Sequence, residues 1–287
     1  MTATEPVREF VTSKDGTRIG CVRRGTGPGV VLVQGAMGTA DHYSELAEAL
    51  AGRFTVHAVD RRGRGLSPKP YDPGHDLARD VEDVDAVLAA TDSHAVFGLS
   101  SGAIIALQAA LTLPRVRRVA VYEPPFYADG ISHDGIRRLG REIEQHRYGS
   151  ALMDALLTAQ TAPALLRVLP RPLVHAFGFL VLRVEGLVAS GPDTLRAMLP
   201  GIRYDFAVVG GMDGGIESFR ALEKPVLLLS GTRSQAFLRA AVQRLQAILP
   251  TSQRVDLDGL THAGPWNRRR GGRPLVVAQA LAAFIAD

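Results

Sequence analysis

Residues 98–102 read Gly-Leu-Ser-Ser-Gly, follow Val96-Phe97, and lead into Ala103-Ile104-Ile105-Ala106-Leu107 without a loop. A chain that turns this sharply from an apolar strand into a small-residue helix forces its central residue, Ser100, into a strained backbone conformation. Glycines at 98 and 102 remove Cβ atoms that the neighbouring backbone would meet. Ser100 then projects beside the amino end of a helix, whose dipole favours developing negative charge. The chemistry that suits this placement is nucleophilic attack by a hydroxyl. A five-residue pattern also arises by chance in Gly/Ser-rich loops, and here the strand before it and the helix after it decide for the nucleophile.

A serine hydroxyl attacks poorly at neutral pH and needs a base within hydrogen-bonding reach. Of the eight histidines, His42, His75, His133 and His146 lie in polar loop or helix contexts, and His57, His94 and His175 lie in or beside apolar elements. His262 differs, because it follows a strand, Arg254–Leu257, through a loop directed at the sheet's carboxyl edge.

The elements that must position these groups alternate. Glu9–Ser13 and Thr17–Arg23 flank the hairpin signal Lys14-Asp15-Gly16. Strands follow at Val30–Gln34, Phe54–Asp60, Arg118–Glu123, Val226–Ser230 and Arg254–Leu257. Helical apolar spacing marks Tyr43–Ala51, Asp76–Ala90, Gln235–Leu249 and Pro274–Ile285. Such alternation implies a mostly parallel sheet covered on both faces. From Phe126 to about Arg220 the rhythm breaks into helix-like stretches, with an apolar middle at Ala151–Val184. Inserted at a carboxyl edge, where sites form in such sheets, it reads as a helical lid over an apolar pocket. The core is then 1–125 with 221–287, and the lid 126–220.

Composition bounds the surroundings. The 287 residues are 46% hydrophobic, enough for one large α/β domain with an insertion. The net charge of +4 comes from scattered arginines. Arg61-Arg62-Gly63-Arg64 and Arg268-Arg269-Arg270 lack aromatic interleaving or a nucleic-acid-binding signature, so they read as solvated loops and no nucleic-acid partner is expected. Cys21 is the one cysteine, which excludes an internal disulfide and argues against a cysteine-based metal site. Residues 1–10 carry no signal-peptide core, and apolar stretches stop short of spanning length, so a soluble cytoplasmic protein without membrane contact is expected.

Val30-Val31-Leu32-Val33-Gln34-Gly35, Val59-Asp60-Arg61-Arg62-Gly63-Arg64-Gly65-Leu66-Ser67, Gly98-Leu99-Ser100-Ser101-Gly102, the late strand Pro225–Gly231 and His262 before the last helix come in an order and spacing that resembles the α/β-hydrolase superfamily. The resemblance covers essentially all of the chain outside the insertion. It implies an eight-stranded, mostly parallel sheet with helices on both faces and an inserted helical lid, His262 as base, and no cofactor or metal. The usual acid position, three residues beyond Gly231, holds Ser234. Some relatives carry the acid after the preceding strand, where this chain has Glu123, with Asp205, Asp213 and Asp258 as weaker options. Backbone amides of Ser101 and Ala36 are the implied oxyanion donors, although Gln34-Gly35 stands where many relatives have His-Gly. Ser101 could also add a second hydroxyl to the site, and Asp60 and Arg64 are assigned to bracing their loop.

Met37, Phe126 and Phe177 are expected to contact substrate. The expected reaction is cleavage of an ester-like or other acyl bond of an apolar small molecule through a Ser100 acyl-enzyme. Acyl transfer or cyclisation in the same pocket, or a catalytically weak binding protein of this fold, stay open, as does a homodimer. A dinucleotide-binding reading of Gly35-x-x-Gly38 lacks the third glycine and leaves the Ser100 turn unexplained.

Overall fold

The computed structural model describes residues 5–286, so the first four residues of the polar 1–10 stretch lie outside it. Eight strands form one sheet: β1 (Val7–Thr12), β2 (Arg18–Arg24), β3 (Gly29–Val33), β4 (Thr55–Val59), β5 (Ala95–Leu99), β6 (Arg118–Tyr122), β7 (Val226–Gly231) and β8 (Ser252–Leu257). Their spatial order is β1-β2-β4-β3-β5-β6-β7-β8. The β1–β2 and β2–β4 pairs are antiparallel and every other pair is parallel. Parallel neighbours need crossovers, and the helices supply them: α1 (Ser44–Leu50), α2 (Leu77–Thr91), α3 (Ser101–Thr112), α4 to α9 between β6 and β7, α10 (Ala236–Ile248) and α11 (Pro274–Ala286).

Central strands covered on both faces read as continuous apolar runs. All five residues of β5 and all six of β7 are buried. Two apolar cores result. One holds Val31, Val33, Val96, Val119, Val121 and Leu228 beneath α2, α3 and α10, and the other holds Leu32, Phe97, Ala120, Leu227 and Leu229 beneath α1 and α11. Helix ends follow local chemistry. The Asp76 carboxylate accepts the Arg79 amide at the start of α2 (3.2 Å), Ser132 accepts the Gly135 amide at the start of the first inserted helix (3.1 Å), and Pro114 stops α3 by driving Leu113 extended.

Between β6 and β7 there is no strand among the described residues, only α4 (His133–Glu144), α5 (Tyr148–Thr158), α6 (Ala164–Val168), α7 (Arg171–Val188), α8 (Leu195–Met198) and α9 (Ile202–Gly211). The short turn Gly215–Ala221 then brings Phe219 back into the core. The two arginine clusters separate. Arg268 and Arg269 are exposed, as expected of a solvated loop, and Arg270 is half-buried over the Trp266 ring, whereas Arg61, Arg62 and Arg64 are 4%, 2% and 6% exposed. That correction has an electrostatic cause, because each guanidinium reaches a carboxylate. Arg62 takes Asp83 (2.5 Å) and Asp15 (2.6 Å), and Arg61 and Arg64 belong to the network under the site.

Candidate functional site

Register brings the site together. Leu99 and Leu229 pair with Tyr122 from either side, so Ser100 and Glu123, the first residues beyond β5 and β6, stand in one row with Ser230 of β7. Ser100 has φ 56° and ψ −124°, a conformation that an L-residue holds only when its surroundings over-determine it. The surroundings are tight. A Cβ at Gly98 would lie 2.2 Å from the Gly102 carbonyl oxygen, one at Gly102 2.4 Å from the Gln34 carbonyl oxygen, and one at Gly35 2.8 Å from the Ser100 Cβ.

Glu123, the residue after β6, is fully buried, and its backbone also turns left-handed at φ 49°. Its Oε2 lies 2.7 Å from His262 Nδ1, and its Oε1 accepts the Gly231 amide (2.7 Å) and the Ser230 hydroxyl (3.3 Å). The carboxylate accepts the Nδ1 proton, which leaves Nε2 as the basic ring nitrogen. The loop carrying His262 is pinned by Tyr122, whose hydroxyl donates to the Thr261 carbonyl at 2.7 Å. Ser100 and His262 line one cavity of about 60 Å³. The other acid options are held by other partners: Asp213 meets the Ile131 amide and His133, Asp258 meets Thr232, and Asp205, which lines the same cavity, is taken by Arg61 and Arg64. Ser234 is buried with an unpartnered hydroxyl.

Beneath the nucleophile turn lies a buried charged network that the sequence reading missed. Asp205 of α9 accepts from Arg61 Nη1 (2.5 Å), Arg64 Nη2 (2.6 Å) and the Ser101 hydroxyl (2.8 Å). Arg61 also reaches Asp80, which His75 meets at 2.7 Å. Burial alone would raise the Asp80 carboxyl, but Arg61 and His75 outweigh it and hold it below the usual range. The Ser101 side chain is thus committed to the network, and its amide, opening α3, has no intrahelical acceptor. Arg64 Nη1 donates to the carbonyls of Gly35 (3.2 Å) and Gly38 (3.4 Å), which fixes the loop carrying Ala36, itself in the cavity wall. Asp60 braces the same region by accepting the amides of Ala40 (2.6 Å) and Leu66 (2.8 Å) and the Gln34 side chain (3.3 Å). Burial pushes its carboxyl up to about 6 against those donors.

The expected substrate contacts fall elsewhere. Phe126 turns into the core against Phe219, with ring centroids 5.8 Å apart. Phe177 sits on the outer face of α7, 46% exposed. Neither these two nor Met37 lines the cavity, whose apolar wall is Tyr127, Ile131, Phe206, Val209, Phe237 and Leu238. Four of those six side chains come from α9 and the segment after Pro125 and two from α10, while the apolar 151–184 stretch contributes Ala159 and Thr161, because α7 directs its aromatic residues to solvent.

Glu9, Cys21 and His57 bring potential metal-ligand atoms within 4.8 Å of one another. The Glu9 carboxylate is taken by Arg23 at 2.6 Å, and burial pushes the Cys21 thiol up to about 12, away from the thiolate a ligand requires. Among the described residues no helix is long and apolar enough to cross a membrane.

A strand-to-helix turn at Ser100 and a mostly parallel sheet covered on both faces are the architecture of an α/β hydrolase. Comparison with known proteins agrees. Residues 30–280 match the model of the alpha/beta hydrolase family, and the chain belongs to that family. It is 30% identical over 269 residues to the pimeloyl-[acyl-carrier protein] methyl ester esterase of Stenotrophomonas maltophilia, with 91% of this chain and 94% of that one covered. The Xanthomonas campestris protein of the same name is 28% identical over 273 residues, covering 91% and 96%. Among solved structures, an alpha/beta hydrolase from Sphaerobacter thermophilus superposes with a TM-score of 0.78 at 32% identity, covering 96% of this chain and all of that one. The protein is a hydrolase of the esterase type.

Proposed function

We propose that Ser100, His262 and Glu123 act as nucleophile, base and acid in hydrolysing a carboxylic ester with an apolar acyl group. The observation that carries the reading is the 2.7 Å contact between His262 Nδ1 and Glu123 Oε2, made by an imidazole that shares its cavity with Ser100. Nε2 takes the Ser100 proton as Oγ attacks the ester carbonyl. The resulting oxyanion is met by the amides of Ser101 and Ala36, held respectively by the start of α3 and by the Arg64-braced loop. The imidazolium, stabilised by the Glu123 carboxylate, then protonates the departing alcohol, and water attacks the acyl-enzyme by the same route.

Two features support an apolar acyl group and a small alcohol: the aromatic and aliphatic wall, and relatives named for cleaving a methyl ester. Residues 126–220 act as the lid in this scheme, with Phe206 and Val209 of α9 in the wall of the cavity that holds Ser100. Steady-state hydrolysis of a short series of methyl and p-nitrophenyl acyl esters tests the reading. Ser100→Ala is expected to lower kcat by at least about 10³-fold, since nucleophile and base act as one unit. Wild-type turnover in Ser100→Ala would remove the covalent route.

A further inference from the structure

The two amides that meet the oxyanion come from separate segments, Ala36 after β3 and Ser101 at the start of α3. The first segment is strained. Met37, beside Ala36, is held at φ 58°, a left-handed conformation that a non-glycine residue keeps only when its surroundings over-determine it. Guanidinium groups brace it. Arg64 Nη1 donates to the Gly35 and Gly38 carbonyls on either side (3.2 and 3.4 Å), and Arg61 Nη1 reaches the Gln34 carbonyl before them (3.5 Å). The same Arg61 nitrogen lies 3.1 Å from the Ser101 hydroxyl.

These ties lead to one carboxylate. Asp205 Oδ1 accepts from Arg61 (2.5 Å) and from the Ser101 hydroxyl (2.8 Å), and Oδ2 accepts from Arg64 (2.6 Å). Arg61 has a second carboxylate in Asp80, whereas Asp205 is the one carboxylate that Arg64 meets among the described residues. Asp205 is 1% exposed, yet it lies in the wall of the cavity that holds Ala36, Ser100 and Ser101. It stands on α9, within the insertion, 104 residues from Ser101 and 141 from Arg64.

We propose that Asp205 is a positioning residue for the oxyanion hole. It sets the Ala36 amide through Arg64 and the Ser101 amide through the Ser101 hydroxyl, so a productive hole depends on α9 being seated on the sheet. The inference rests on the Ser100 chemistry proposed above. Position matters because amides stabilise the oxyanion only when they are aimed, before reaction, at the place where it will form. Charge alone works the other way. A carboxylate beside the hole opposes a developing negative charge, so by Coulomb attraction the loss of Asp205 would speed the reaction. Positioning requires that it slow.

Steady-state ester hydrolysis by Asp205→Asn reads that sign. The amide keeps the shape but offers one acceptor oxygen in place of two, so kcat should fall about 10²-fold, with KM changed by less than about threefold. Ser101→Ala, which cuts only the hydroxyl tie, should lower kcat about tenfold. Arg64→Lys keeps the charge but not the planar fork that spans two carbonyls and a carboxylate. It should also lower kcat about tenfold, and cost little more in the Asp205→Asn background, because both changes break one chain of contacts. Asp83→Asn weakens the buried pair with Arg62 and should lower the urea midpoint while leaving kcat within about twofold. A folded Asp205→Asn with kcat at or above the wild-type value, a rise in KM with kcat intact, or a kcat loss shared by Asp83→Asn overturns the proposal. Should Asp205→Asn fail to fold, Arg64→Lys decides: a lowered kcat upholds the proposal and an unchanged one overturns it. Failure of the Ser100 chemistry shows separately, as a wild-type chain that fluorophosphonate does not label, and takes the proposal with it.

Discussion

Glu123 reaches His262 from the first residue beyond β6, and the backbone there adopts φ 49° to let it. With that carboxylate in place, position 234 needs no acid, and Ser234 is left buried and unpartnered. Both residues could be singled out in the sequence, Ser234 as a departure from the usual pattern and Glu123 as a charged residue ending an apolar strand. Histidine 42 could not, since it reads as a polar loop residue and is fully buried. Its Nδ1 accepts the Thr39 amide at 3.0 Å, and burial, with Arg270 nearby, lowers the imidazole to about 4. The folded pKa lies below the ordinary value of about 6.5, so between those values the unfolded chain binds more protons. Stability from this residue is therefore present above pH 6.5 and lost as pH falls toward 4. Urea unfolding at pH 7 and pH 5 should show a loss of about 2 kcal/mol that His42→Gln lacks. Equal pH slopes in the two proteins would show that His42 is not the group responsible.

Helix α9 joins the insertion to the sheet through one buried charge. Asp205 holds Arg61 and Arg64 from the loop after β4 and the Ser101 hydroxyl at the start of α3. Removing it leaves the buried Arg64 with carbonyl partners alone and Arg61 with Asp80 as its one carboxylate, so Asp205→Ala should lower the unfolding free energy by about 3–5 kcal/mol, measurable as a reduced urea midpoint. A loss under 1 kcal/mol would mean the insertion is held mainly by apolar contact. Strands and flanking helices were legible in the sequence to within one or two residues, because their apolar periods of two and 3.6 are local signals. The arginines were not. Their partners Asp80 and Asp205 lie 19 and 144 residues from Arg61, and nothing local distinguishes a paired arginine from a solvated one. The apolar 151–184 stretch was ambiguous for a related reason: helical spacing says that a face is apolar, not which neighbour covers it.

The molecule as a whole is a sheet with two cores, closed on one edge by the antiparallel β1–β2 pair. Cys21 of β2 is fully buried, with its thiol pushed up to about 12 by burial, so it can report on opening of that edge. Maleimide should react with it only through unfolding, with a urea dependence equal to that of the global transition. Rapid labelling of active enzyme would place the β1–β2 edge outside the cooperative unit. The central claim concerns the carboxyl ends of the central strands, where β5 and β6 and the loop after β8 converge on Ser100, Glu123 and His262. Intact mass after treatment with a small fluorophosphonate, followed over time, tests it most directly. A single adduct on the wild type, absent from Ser100→Ala and formed about 10²–10⁴-fold more slowly by Glu123→Gln, is the predicted result. No adduct on the wild type, or an adduct rate unchanged in Glu123→Gln, would contradict the account.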